Sequence, residues 1–405
     1  MLCFARNDAL AIFTVVMEDI SQFFAPIELE GENQFPENTM GLSIRKYLAG
    51  KNFPELKGVH LAIIGVEEER RAVNNEGSGQ SANAVRPYLY NLFKGKYKPR
   101  IVDLGNIKQG HAVKDSYFAL TTVCHELIKN KTIPIVIGGG QDLTFPMYKA
   151  FDKIEPTINL VDVDAKFDIG GPDSEFNSSA YLGKIILHQP NILFNYSNIG
   201  YQTYFVPQKE IELFHKLYFD AYRLGEVRNS MEEVEPIVRH ADLVSFDMSS
   251  IRMSDAPGNG NASPNGFYGE EACQITRYAG LSDKLGAIGF FEMNPSKDKR
   301  GQTAHLLAQM VWYFIDGYYR RYQDFPFRKK SDYMKYRVSI KEHKNEIVFY
   351  KSKRSDRWWM EVPYPSQKKL KFERQCLVPC SYKDYEEATK EEVPDRWWQT
   401  YQKLV

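Results

Sequence analysis

From about residue 58 onward, short apolar runs of strand length recur between segments with helical spacing. Val59-His60-Leu61-Ala62-Ile63-Ile64-Gly65-Val66, Ile133-Pro134-Ile135-Val136-Ile137 and Leu285 to Phe291 are typical of these runs. They do not alternate apolar with polar residues, so such strands are expected to be buried on both faces, as in a parallel sheet covered by helices. Helices are expected at about 82–93, 113–129, 210–218, 231–240, 270–279 and 303–321. The fold class predicted is α/β, a three-layer α/β/α sandwich with about seven or eight mostly parallel strands.

The stretch Asn159-Leu160-Val161-Asp162-Val163-Asp164-Ala165-Lys166-Phe167-Asp168 is the most informative of the runs. An apolar strand ends in acids four residues apart, at the edge where open α/β sheets place their sites. Two other strand ends have the same character: Gly139-Gly140-Gln141-Asp142 and Ser245-Phe246-Asp247-Met248-Ser249. The glycines 138–140 lack the Lys-Ser/Thr of a phosphate-binding loop.

Bulk charge separates two regions. The chain carries 52 basic and 52 acidic residues, but from Arg321 to the end there are 20 Lys/Arg against 13 Asp/Glu, so this tail is +7 and the rest −7. Four of the five tryptophans also lie in the tail, beside strand-like runs at 337–340, 346–350 and 358–362. The expected division is a core region 18–321 and a basic, Trp-rich, strand-containing extension 322–405. Residues 1–17, with the apolar run 9–17, read as a leader or a misassigned start. That run is too short to span a bilayer. Five scattered cysteines fit a reduced, cytoplasmic protein, and Cys376 and Cys380 read as ordinary strand or loop cysteines. Nucleic-acid and membrane binding are not expected.

The three strand ends, with Ala256-Pro257-Gly258-Asn259-Gly260, Pro264 to Glu271, Glu292-Met293-Asn294-Pro295 and Thr303-Ala304, resemble the ureohydrolase family of arginase, agmatinase and formiminoglutamase. That family writes the corresponding segments as GG(D/G)H, DAHxD, SxDxDxxDP and APGTG…PGGL…E. The resemblance implies an arginase-like fold, homo-oligomers, and two Mn²⁺ ions held by six side chains, with a bridging hydroxide that attacks a guanidino or formimino carbon. Position by position, it assigns ligands to Asp164, Asp168 and Asp247. Gln141 and Lys166 stand where histidines belong, and Ser249 where an aspartate belongs. Arg252 and Met253 replace the following Asp-Pro. Asp142, Arg252 and Glu271 are implied cleft residues, Glu271 matching the acid that receives a cationic substrate end in arginases.

Three aspartates plus Lys166 sum to −2, or −1 with Arg252 turned inward, and buried charge of that size needs a counter-ion. The simplest expectation has the Lys166 ammonium in the vacated metal position, pairing with Asp164, Asp168 and Asp247. This makes the chain a non-catalytic ligand- or partner-binding protein with no cofactor, its tail a partner surface or a lid over the cleft. The alternative expectation is an active hydrolase of formiminoglutamate, agmatine or another linear amidine, with one Mn²⁺ or Mg²⁺ on the three aspartates or an unusual set of metal ligands.

Overall fold

The apolar runs become the interior strands of one sheet. A computed structural model describes residues 19–28, 35–171, 174–325, 330–340, 346–365 and 369–404. The N-terminal run 9–17 lies outside them. The strands are β1 (Phe24–Ala25), β2 (Arg45–Lys46), β3 (Leu61–Val66), β4 (Ile101–Ile107), β5 (Ile133–Ile137), β6 (Ile158–Val163), β7 (Leu193–Tyr201), β8 (Asp220–Arg223), β9 (Leu243–Asp247) and β10 (Ala287–Phe291). Their order is β1-β4-β3-β5-β10-β9-β6-β7-β8, with β2 also on β4. Every pairing is parallel except β1 with β4. The two strands beyond the expected eight are the two-residue pieces β1 and β2, too short to leave a periodic signal.

Alternation along the strands sorts the core into two layers. Ile63, Ile135, Val161, Val163, Val244, Phe246 and Ile288 face helices Ser81–Asn91, Gly269–Leu281 and Gln302–Tyr319. Ile64, Val136, Leu160, Leu243 and Phe291 face helices Val113–Lys129 and Tyr181–Ile186 on the other side. The three-layer sandwich is therefore as the sequence predicts. Helix Tyr181–Ile186 falls in a stretch whose Gly, Ser and Asn content reads as a loop. Among the described residues no helix is long and apolar enough to cross a membrane.

The tail forms its own antiparallel sheet, β11 (Tyr333–Val338), β12 (Ile347–Ser352), β13 (Trp358–Glu361) and β14 (Leu377–Cys380), in that order. Trp358, Trp359 and Trp397 are buried, and Trp358 and Trp397 share a core with Phe349, Met360, Val378 and Leu404. Of the four tail tryptophans only Trp398 is exposed, so the other three fill an interior. Cys376, just before β14, and Cys380, at its end, are buried.

This small sheet docks on the N-terminal edge of the large one. Asn159, at the start of β6, donates to Gln375 Oε1 (3.0 Å). Asp242, just before β9, pairs with Arg374 (2.9 Å) and Lys284 (3.3 Å). Arg239 is buried, donates to the carbonyls of Trp358 (3.1 Å) and Cys380 (3.2 Å), and stacks 4.4 Å from the Trp359 ring. The acids singled out from the sequence lie at the opposite edge, so the expectation of a lid over them is corrected. A tail fixed at the strand starts cannot reach the strand ends.

Arg239→Ala leaves two buried carbonyls and Glu235 short of a donor. It is expected to lower the unfolding free energy by about 3 kcal/mol, measured by urea denaturation, without changing metal binding.

Candidate metal centre

Strands β5, β10, β9 and β6 are adjacent and parallel, so their C-terminal ends deliver Gln141, Glu292, Asp247 and Asp164 to one edge of the sheet. The Asp164 amide still donates to Ile199 O (3.2 Å), which carries β6 one step further along β7. The turn after it is tied to the same neighbour. Gln202 N–H donates to Ala165 O (2.9 Å) and Asn198 Nδ2 to Lys166 O (2.7 Å). Asp168 closes the turn at φ +49°, a left-handed conformation that Asp tolerates better than most residues. Asp247 caps the next turn, its Oδ1 accepting from Ser249 N–H (2.6 Å).

As a result Asp164, Asp168 and Asp247 each turn one carboxylate oxygen into a common space, all within 4.8 Å of one another. Asp164 and Asp247 are buried and Asp168 is half-buried. Burial raises all three carboxyls, and the neighbouring charges of Asp168 and Asp247 raise Asp164 further. Asp168 is pushed up to about 7 and Asp247 to about 6. Asp164 Oδ2 is buried without a hydrogen-bond partner.

Lys166 does not fill the space. Its side chain is half-buried, with Nζ 5.9 Å from the Phe205 ring centroid, and no ion pair within 4.0 Å joins it to the three aspartates among the described residues. The expectation that its ammonium replaces the metal is therefore corrected. Residue 166 occupies the outer face of a turn whose direction is set by Asn198 and Gln202, and an aromatic ring on the next loop receives the cation. It still acts at longer range, its charge drawing the Asp168 and Asp247 carboxyls down against burial.

The other positions are placed as follows. Gln141 is buried behind the three acids, donating from Nε2 to Asp162 Oδ1 (2.8 Å) and Ser245 Oγ (3.3 Å). Ser249 is buried and holds Asp247 through its backbone. Asp142 turns toward the hydroxyl of Tyr117, and burial pushes its carboxyl up to about 7. Glu271 accepts from Arg228 Nε (3.1 Å) and from the Tyr268 amide (2.8 Å), an N-terminal cap for helix Gly269–Leu281. Its carboxylate is thus already engaged.

Arg252 faces an open pocket of about 330 Å³ together with Arg223, Arg228, Tyr268, Tyr204 and Gln202, and no acidic side chain lines it. The Arg228 and Arg252 guanidinium carbons each lie 3.9 Å from the Tyr268 ring centroid. Their Nε atoms bind Glu271 and Asp255, which do not line the pocket. Arg223, Arg228 and Tyr268 were not legible as site residues, since their neighbourhood is created by loops from β7, β8 and β9. Asp162 was legible in principle: two residues before Asp164 on one strand, it shares the same sheet face.

The arginase-family model matches residues 59–316, and the chain belongs to that family. Formimidoylglutamase of Staphylococcus aureus (strain MRSA252) is 24% identical over 275 residues, covering 63% of this chain and 85% of that protein. The Lysinibacillus sphaericus (strain C3-41) formimidoylglutamase is 25% identical over 267 residues, covering 62% and 82%. Among solved structures, Trypanosoma cruzi formiminoglutamase with Mn²⁺ superposes at TM-score 0.62 and 19% identity, covering 66% of this chain and 96% of that one. The agmatine ureohydrolase of Thermoplasma volcanium gives TM-score 0.56 at 18% identity, covering 71% and 97%.

These findings overturn the expectation of no cofactor. The T. cruzi relative was determined with Mn²⁺, and the acidic cluster here remains open to a cation. The non-catalytic reading is left without support, and the matches favour the hydrolase alternative. The residues present fit one divalent ion: three convergent carboxylates, one with a buried unpartnered oxygen, are a hard-donor set. They do not offer two full sets, since Lys166 and Ser249 bring an ammonium and a hydroxyl.

Carboxyls raised by burial favour the metal-free fold while protonated, and that contribution is lost as pH climbs from the ordinary carboxylate range through about 6 to 7. A bound dication favours the ionised forms and offsets the loss. The rise in Tm produced by saturating Mn²⁺ over EDTA is expected to be near zero at pH 5 and largest at pH 8, checked by differential scanning fluorimetry.

Proposed function

We propose that this protein hydrolyses a C–N bond of a linear amidine whose other end is anionic, in the manner of formimidoylglutamate, at a site holding one divalent cation. The observation that carries the reading is the convergence of Asp164, Asp168 and Asp247, with Lys166 directed to Phe205 instead. Those three aspartates would hold the ion. When bound, it supplies Lewis acidity that acidifies water and polarises the amidine.

The protein's own groups define the rest. Two segments connect the arginine-lined pocket to the acids, since Gln202 in its wall is bonded to Ala165 and Arg252 follows the turn that begins at Asp247. Arg223, Arg228 and Arg252 offer guanidinium donors to a carboxylate tail, and two of them pack on the Tyr268 ring. Glu271, the residue that a cationic tail would require, is committed to Arg228 and the helix cap. Anionic formimidoyl substrates are therefore favoured over agmatine. Water adds to the amidine carbon and the bond to the substituted nitrogen breaks. One proton of the water goes to the unsubstituted nitrogen and the other to the departing one, giving formamide and a free amine.

Protein purified without chelator is expected to carry about one Mn²⁺ per chain and to release formamide from formimidoylglutamate. Asp164→Asn should abolish both. Arg228→Ala and Arg252→Ala should each raise KM for the anionic substrate about tenfold or more with a smaller change in kcat. Metal-loaded protein that turns over agmatine faster than formimidoylglutamate would refute the choice of tail.

A further inference from the structure

Gln141 stands in the sequence as a lost ligand, yet its surroundings fix its amide in a definite way. Asp162 and Ser245 are register partners on β6 and β9. Asp164 and Asp247 are each two residues further along the same strands, so the two pairs share a sheet face and form successive levels. The deep level is closed on itself. Tyr181 and Tyr196 both donate to Asp162 Oδ2 (2.8 Å each), Gln141 Nε2 donates to Oδ1, and Ser245 Oγ contacts both Gln141 Nε2 and Thr144 Oγ1 (2.8 Å). Asp162 and Ser245 thus anchor the nitrogen arm of the Gln141 amide.

A primary amide is a planar fork, so anchoring its nitrogen arm in the deep level sends its oxygen arm away from that level. Gln141 is fully buried, and its Oε1 has no hydrogen-bond partner. Asp164 Oδ2, one level up, is in the same condition. Buried oxygens without donors are costly, and a cation shared between them removes the cost for both.

We infer that Gln141 is itself a ligand, presenting its side-chain carbonyl oxygen as a fourth oxygen donor beside Asp164, Asp168 and Asp247. The inference rests on the one-cation reading above. It makes the protein donor set all oxygen, of the kind that suits Mn²⁺ and Mg²⁺, where an imidazole would favour Zn²⁺. Asp162, with its two tyrosines, then serves as the positioning group behind the ligand.

The test is Mn²⁺ titration of chelator-treated full-length protein at pH 8, followed by electron paramagnetic resonance, with Zn²⁺ competition. Gln141→Leu is expected to weaken Mn²⁺ binding about tenfold or more. Gln141→His can donate to Asp162 from one ring nitrogen and bind the ion with the other. It should restore binding, raise the Zn²⁺-to-Mn²⁺ preference about tenfold, and add a directly coordinated ¹⁴N signal in pulsed spectra that the wild type lacks. A folded Gln141→Leu protein that binds Mn²⁺ like the wild type, or a His variant with no ¹⁴N signal, overturns the role of Gln141 alone. A wild type that binds no divalent ion overturns the one-cation reading together with it.

Discussion

The constraint behind this molecule is the concentration of carboxylates at one edge of a dry sheet. Asp162, Asp164, Asp247 and Glu292 are buried there, and Asp168 partly so. Each would be costly alone, and the protein meets the cost with neutral donors. Asp162 has two tyrosine hydroxyls and an amide, and Glu292 has Asn75 and the Gln141 amide. The outermost trio receives less, a single backbone amide each for Asp247 and Asp164. Parallel strands are what make the crowding unavoidable, because they bring every C-terminal end to the same side.

Much of this edge could be read in the sequence. Runs without alternation specify a doubly covered sheet, and an acid following such a run specifies a buried carboxylate at a strand end. Face assignment follows from the period of two, so Asp162 and Asp164 belong together. What could not be read is direction over distance. The side chain of Lys166 is guided by Asn198, Gln202 and Phe205, which come from a different strand and its loop. Counting charges favoured an internal ion pair; geometry, set by those three residues, sent the ammonium elsewhere. The tail posed the same problem at larger scale. Its tryptophans announced a packed module, but only long-range pairing with Asn159 and Asp242 fixes which edge it covers.

The charge of the cleft also differs from what the family resemblance implies. Glu271 keeps its place in the chain, but Arg228 takes up its carboxylate, and the pocket beyond it is lined by arginines. Arg252 contributes to the same lining where the family pattern has an aspartate.

Strand β9 shows the logic of the whole in a single element. Asp242 stands at its start and Asp247 at its end, about 16 Å apart at the usual rise per residue, and both are buried. The first is held between Lys284 and Arg374, cations that belong to the chain. Among the described residues the second has no such partner. One end of the strand is neutralised permanently, as a joint should be. The other is left in deficit, so its neutrality has to come from something that can arrive and depart.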